Sequence, residues 1–100
     1  MTEPAATVEF IPGEANPEST QHELRPGEST TFSTWCCGGT TTLWVENLGD
    51  EEGQVSVNAG GGHEYIHLNG KEKKYIQRQW EGIVIGVTNS GSTTVRVWTA

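Results

Sequence analysis

No apolar run in the 100 residues comes near the ~20 needed to cross a bilayer as a helix, so no membrane-spanning helix is expected. The opening residues MTEPAATVEF also lack the basic start and apolar core of a signal peptide. A cytosolic chain is the simplest expectation if Met1 is native; an exported chain trimmed of its leader would read the same. Leucine and alanine are scarce, at four and five residues, which leaves little material for a helical bundle. Basic residues number 6 against 13 acids, a formal charge of −7. A negative field repels phosphate backbones and argues against a nucleic-acid partner. Cysteine occurs only as the adjacent pair Cys36 and Cys37. A disulfide between neighbours needs a distorted ring, so the expectation is a reduced pair at a hairpin end, with a switch-like bond as the alternative.

What the chain does have is turn and strand chemistry. It carries 13 glycines, 4 prolines and frequent threonine and serine, which suits a sheet with many turns. One hundred residues make one domain, and a chain of that size buries only a little over ~60% of the surface its unfolded form exposes.

Residues 41–57, TTLWVENLGDEEGQVSV, read as strand, turn and strand: Leu43 and Val45 alternate with polar neighbours, Asn47-x-Gly49 turns, and Val55 and Val57 answer. Residues 82–99 repeat the pattern with Ile85, Val87, Asn89-x-Gly91, Val95 and Val97. Upstream of each copy lies a further strand pair, 21–25 with 29–35 and 63–68 with 71–80. Pro26-Gly27 turns the first of these pairs, and Asn69-Gly70, the strongest short hairpin signal in the chain, turns the second. Phe32 and Tyr75 stand as equivalents, and the triple glycine at 60–62 reads as a flexible connection between halves. Residues 1–100 are therefore expected to form a single domain with an internal repeat at about 21–59 and 63–99. The fold class is all-β: an antiparallel β-sandwich, immunoglobulin-like or jelly-roll-like, of two similar four-stranded halves packed face to face, plus an N-terminal strand at residues 7–11. A small closed barrel is the alternative.

His63-Glu64-Tyr65-Ile66-His67 spells the HExxH pattern of zinc proteases. That chemistry needs a helix to bring both imidazoles to one ion. Glycines before the motif and Asn69-Gly70 after it leave too few residues, and on a strand His63 and His67 would lie ~13 Å apart at ~3.4 Å per residue. No metal and no cofactor are expected. Asp50, Glu51 and Glu52 lack the alternating ligands of a calcium loop, and no serine sits in a nucleophile-elbow frame.

Four tryptophans are many for so small a core. Alternation turns two of them outward: Trp44 sits with Thr42 and Glu46, opposite Leu43 and Val45, and Trp98 sits with Thr94 and Arg96, opposite Val95 and Val97. An outward indole offers broad contact area at low entropy cost and suits sugar faces as well as protein hot spots. The expectation is a non-enzymatic recognition or assembly module that binds a carbohydrate or a protein through Trp44 and Trp98, with Glu46, Asn47 and Arg96 supplying hydrogen bonds. A purely structural, oligomer-forming subunit is the second reading. A metal- or thiol-dependent enzyme using His63 and His67 or Cys36 and Cys37 is the third. Residues 1–52 hold ten acids and one base, and residues 53–100 three acids and five bases. This admits salt-sensitive homo-oligomerisation through the KEKK segment, beside the plainer reading of a solvated surface.

Overall fold

The computed structural model describes residues 21–100, which form eight strands and, among the described residues, no helix. The expected strand at residues 7–11 lies outside the described residues. The strands are β1 (His22–Leu24), β2 (Ser29–Phe32), β3 (Thr41–Asn47), β4 (Gly53–Ala59), β5 (Gly62–Leu68), β6 (Lys73–Arg78), β7 (Ile85–Asn89) and β8 (Val95–Thr99). They make two four-stranded sheets in the orders β1-β8-β3-β6 and β2-β7-β4-β5, with every pairing antiparallel. Two packed antiparallel sheets make a β-sandwich, and this strand order is that of a jelly roll.

The alternation that defines each strand also builds the core. Leu24, Leu43, Val45, Val95 and Val97 from the first sheet meet Phe32, Val55, Val57, Ile66, Leu68, Ile85 and Val87 from the second, and Trp80, which follows β6, joins the same cluster. The eight aliphatic residues singled out in the two sequence copies are all at most 1% exposed. Cutting one of them back to alanine removes transfer energy and leaves a cavity, which costs ~2–5 kcal/mol for a buried leucine or isoleucine.

The pairing differs from the expected hairpins. β1 and β2 lie in opposite sheets, as do β3 and β4, β5 and β6, and β7 and β8. Each half of the chain therefore contributes two strands to each sheet. Replacing β1–β4 by β5–β8, and the reverse, turns the order of the first sheet into that of the second read from its other edge. Among the described residues the one hairpin between consecutive strands is β4–β5, where Ala59 pairs Gly62 across Gly60 and Gly61 at φ 57° and 90°. That is a type I′ turn, not a flexible connection, and two consecutive positive φ angles explain the glycines. At Asn69-Gly70 the chain instead crosses between sheets. Its positive φ falls on Lys71, while Gly70 sits against the Asp50 carbonyl, where a Cβ has no room.

Asn47 and Asn89 hold the equivalent crossings. Each is buried, each accepts a hydrogen bond from the N–H two residues on (Gly49 and Gly91, both 3.0 Å), and each donates to the carbonyl four residues on (Glu51 and Thr93, both 2.7 Å). Asn47 donates further to the Asn69 carbonyl at 3.0 Å and Asn89 to that of Leu24 at 2.8 Å. A side-chain amide thus satisfies backbone groups that leave the ladder where the chain steps from one sheet to the other.

Candidate aromatic binding face

With Leu43 and Val45 inward, Trp44 and Glu46 face outward from β3, and the same alternation turns Arg96 and Trp98 outward from β8. The register then assembles rows across the sheet. Trp98, Trp44 and Tyr75 are directly opposite one another on β8, β3 and β6, and the next row is Glu23, Arg96, Glu46 and Lys73 across all four strands. A third row pairs Thr42 with Gln77, whose Nε2 donates to the threonine hydroxyl at 3.2 Å.

The aromatic row is in contact throughout. Trp44 and Trp98 stack with centroids 5.9 Å apart and planes 8° from parallel, and Tyr75 tilts against Trp44 at 4.8 Å and 51°. Lys73 Nζ lies 5.7 Å from the centre of the Trp44 ring, a cation–π contact. In the charged row, Arg96 reaches Glu23 at 3.0 Å and Glu46 at 3.5 Å. Two acids and two bases balance, so the strip presents donors and acceptors without net charge.

Of the residues expected from the sequence, Trp44, Trp98, Glu46 and Arg96 share this face. Asn47 does not. It is turned inward at 1% exposure, and its amide is committed to the crossing between β3 and β4, so it is corrected from a ligand contact to a structural pin. Tyr75 was missed because it was equated with Phe32. Phe32 pairs Ile85 inside the sandwich, whereas the residue of β6 that pairs the equivalent Leu43 is Ile76; Tyr75 is 53% exposed. Within KKYIQR, Ile76 is the aliphatic residue and faces the core, which turns Tyr75 outward; that local signal was available.

The opposite face provides an internal comparison. By register, the positions matching Trp98, Trp44 and Tyr75 on the second sheet are Asn58, Gly86 and Thr31. The same backbone therefore accommodates small and polar residues in these places, and the space beyond Gly86 is open. The aromatic row is a property of one face rather than a requirement of the architecture.

Other features carry less. His63 and His67 are exposed on β5, an extended strand, with the His63 ring against Tyr65 at 5.1 Å. No group of three or more side chains able to hold a metal converges among the described residues. A shallow cleft of about 360 Å³ lies between Glu52, His67, Glu72 and Lys74, and Lys74 Nζ there donates to the His67 carbonyl at 2.7 Å. The bases of the KEKK segment face acids or aromatics of their own chain: Lys71 to Asp50, Lys74 to Glu72, Lys73 to Trp44.

Strand order and outer face define a jelly-roll β-sandwich with one aromatic face. Residues 22–100 match a family described as a family of unknown function (DUF8244), and the chain belongs to that family. Two uncharacterized proteins of Dictyostelium discoideum are each 37% identical over 79 residues, covering 77% of this chain and 93% of the relative. No solved structure matches.

Proposed function

We propose that the chain is a non-enzymatic recognition module that takes a carbohydrate on the outer face of the β1-β8-β3-β6 sheet. The observation that carries this reading is the in-register row Trp98, Trp44 and Tyr75, set on one face of a fold whose matching positions on the other face are Asn58, Gly86 and Thr31. Sugar rings present apolar C–H faces that lie against indole and phenol rings, and hydroxyl edges that need paired donors and acceptors. Here Tyr75 and Trp98, at the two ends of the row, offer the rings. Glu46 and Arg96 on one side and Gln77 and Thr42 on the other offer the polar partners. The row spans three strands, about 10 Å from first to last at ~4.8 Å per strand, so an extended oligosaccharide would run across the strands.

The charge pattern favours a neutral glycan. Arg96 is shared between Glu23 and Glu46, and Lys73 lies over the Trp44 ring and opposite Glu46 in register. The two cations of the strip are thus matched by two acids, and the chain as a whole is at −7. Electrophoresis through gels containing soluble neutral glucans, xylans or mannans tests the reading. Retardation by at least one of them is expected, and migration unchanged in every neutral polysaccharide contradicts it.

A further inference from the structure

The turn Cys36–Cys37–Gly38–Gly39 is closed by the Gly39 N–H donating to the Cys36 carbonyl at 3.1 Å, with φ of 63° at Cys37 and 88° at Gly38. Positive φ at both central residues makes it a type I′ turn. The turn Trp80–Glu81–Gly82–Ile83 is built in the same way, with Ile83 N–H to the Trp80 carbonyl at 3.1 Å and φ of 54° and 83°. The turns stand 44 residues apart, the same offset that relates Phe32 on β2 to Ile76 on β6, and they dock on each other. Gly82 N–H donates to the Trp35 carbonyl at 3.1 Å and Gln79 Nε2 to the Gly38 carbonyl at 3.1 Å. Where Gly82 meets Cys36, an added Cβ would stand 2.9 Å from the cysteine Cβ.

One of these matched turns therefore keeps its shape with no covalent tie. In the other, the structure joins Cys36 to Cys37 by a disulfide, in place of the reduced pair expected from the sequence. The comparison shows that the bond is not what makes the turn. Chain entropy gives it no structural role either: a cross-link stabilises by closing a loop of the unfolded chain, the effect grows with loop length, and adjacent residues enclose the shortest loop possible. Both cysteines are exposed to solvent.

We propose that Cys36 and Cys37 form a reversible dithiol–disulfide couple, a thiol-exchange and modification site at the surface rather than a structural staple. It opens with a small dithiol as reductant. One thiolate of the reductant attacks a cysteine sulfur, breaking the Cys36–Cys37 bond and making a mixed disulfide, while the other cysteine leaves as a thiolate and takes a proton from water. The second thiol of the reductant, as its thiolate, then displaces the remaining protein sulfur and closes its own disulfide. Two electrons pass from reductant to protein, and the protein gains two hydrogens. The open form displays neighbouring thiols on a turn held by backbone hydrogen bonds, a soft-ligand pair matched to a trivalent arsenical. None of this depends on the carbohydrate reading.

The test uses the folded chain without denaturant. Dithiothreitol treatment followed by iodoacetamide should add two alkyl groups, reoxidation with glutathione disulfide should prevent their addition, and the reduced chain should be retained on phenylarsine oxide resin. Retention should be lost in Cys36→Ser and in Cys37→Ser. Reduction should lower the melting temperature by less than about 4 °C, below the ~4–8 °C that one kcal/mol produces in a domain of this size. Alkylation that appears only in denaturant, or a larger fall in melting temperature on reduction, would show a structural cross-link and overturn the proposal.

Discussion

Trp44 and Trp98 face each other across β3 and β8 as directly paired residues, with ring planes 8° from parallel and centroids 5.9 Å apart. Trp44 also bears the tilted ring of Tyr75 at 4.8 Å, so it is the centre of the row and its neighbours are the ends. Aromatic pairs contribute about 0.5–1.5 kcal/mol beyond their area burial. Trp44→Ala breaks two such contacts and is expected to destabilise by about 1–3 kcal/mol. Tyr75→Ala breaks one contact at an exposed position and is expected to cost about 1 kcal/mol or less. Urea denaturation of the two variants gives the ranking, and equal losses would contradict the geometry.

The buried amides are expected to matter more than the exposed charges. Asn89→Ala removes the side-chain partner of the Gly91 N–H and of the Leu24 and Thr93 carbonyls. Asn47→Ala removes that of the Gly49 N–H, the Glu51 carbonyl and the Thr93 hydroxyl, while the Asn69 carbonyl keeps the Glu72 N–H. Unsatisfied buried groups cost ~1–3 kcal/mol, so each variant should lose about 2–4 kcal/mol. At ~4–8 °C per kcal/mol, thermal melting resolves this readily.

Glu64 and Arg78 join the outer strands β5 and β6 through two hydrogen bonds, at 2.8 and 3.1 Å. Their side chains are 37% and 46% exposed, and solvent screens such a pair. Arg78→Ala is expected to cost under about 1 kcal/mol, less at high salt, as chemical denaturation at two salt concentrations would show.

Two glycines predict opposite outcomes. A Cβ at Gly70 would run into the Asp50 backbone, so Gly70→Ala should force a shift worth ~1–3 kcal/mol. At Gly86, within β7, a Cβ meets nothing, and Gly86→Ala should be neutral or stabilise by up to ~1 kcal/mol because alanine loses less backbone freedom on folding. Melting temperatures of the paired variants measure the sign of each effect.

The core was legible because period-two alternation fixes which face a residue takes, and Leu43, Val45, Val95 and Val97 all followed it. Strand partners were not legible, because alternation is the same whether the next strand pairs in the same sheet or crosses to the other. Asn-x-Gly looked like a hairpin turn from residue type alone. Its asparagine is instead drawn inside to satisfy a crossing loop, which no local pattern states. The same limit explains Tyr75. Its face was readable from Ile76, but its place beside Trp44 came from the register of β3 with β6.

The central claim is that the aromatic face, and not the fold in general, binds a neutral glycan. The most direct measurement compares retardation of the wild type, Trp98→Ala, Tyr75→Ala and, on the opposite face, Thr31→Ala in the same panel of neutral-polysaccharide gels, with heparin and polygalacturonate as charged controls. The account predicts retardation of the wild type and Thr31→Ala by a neutral polymer, loss of it in Trp98→Ala and Tyr75→Ala while both still melt cooperatively, and no retardation by the charged polymers. Equal retardation of all four proteins, or retardation by the charged polymers alone, would contradict it.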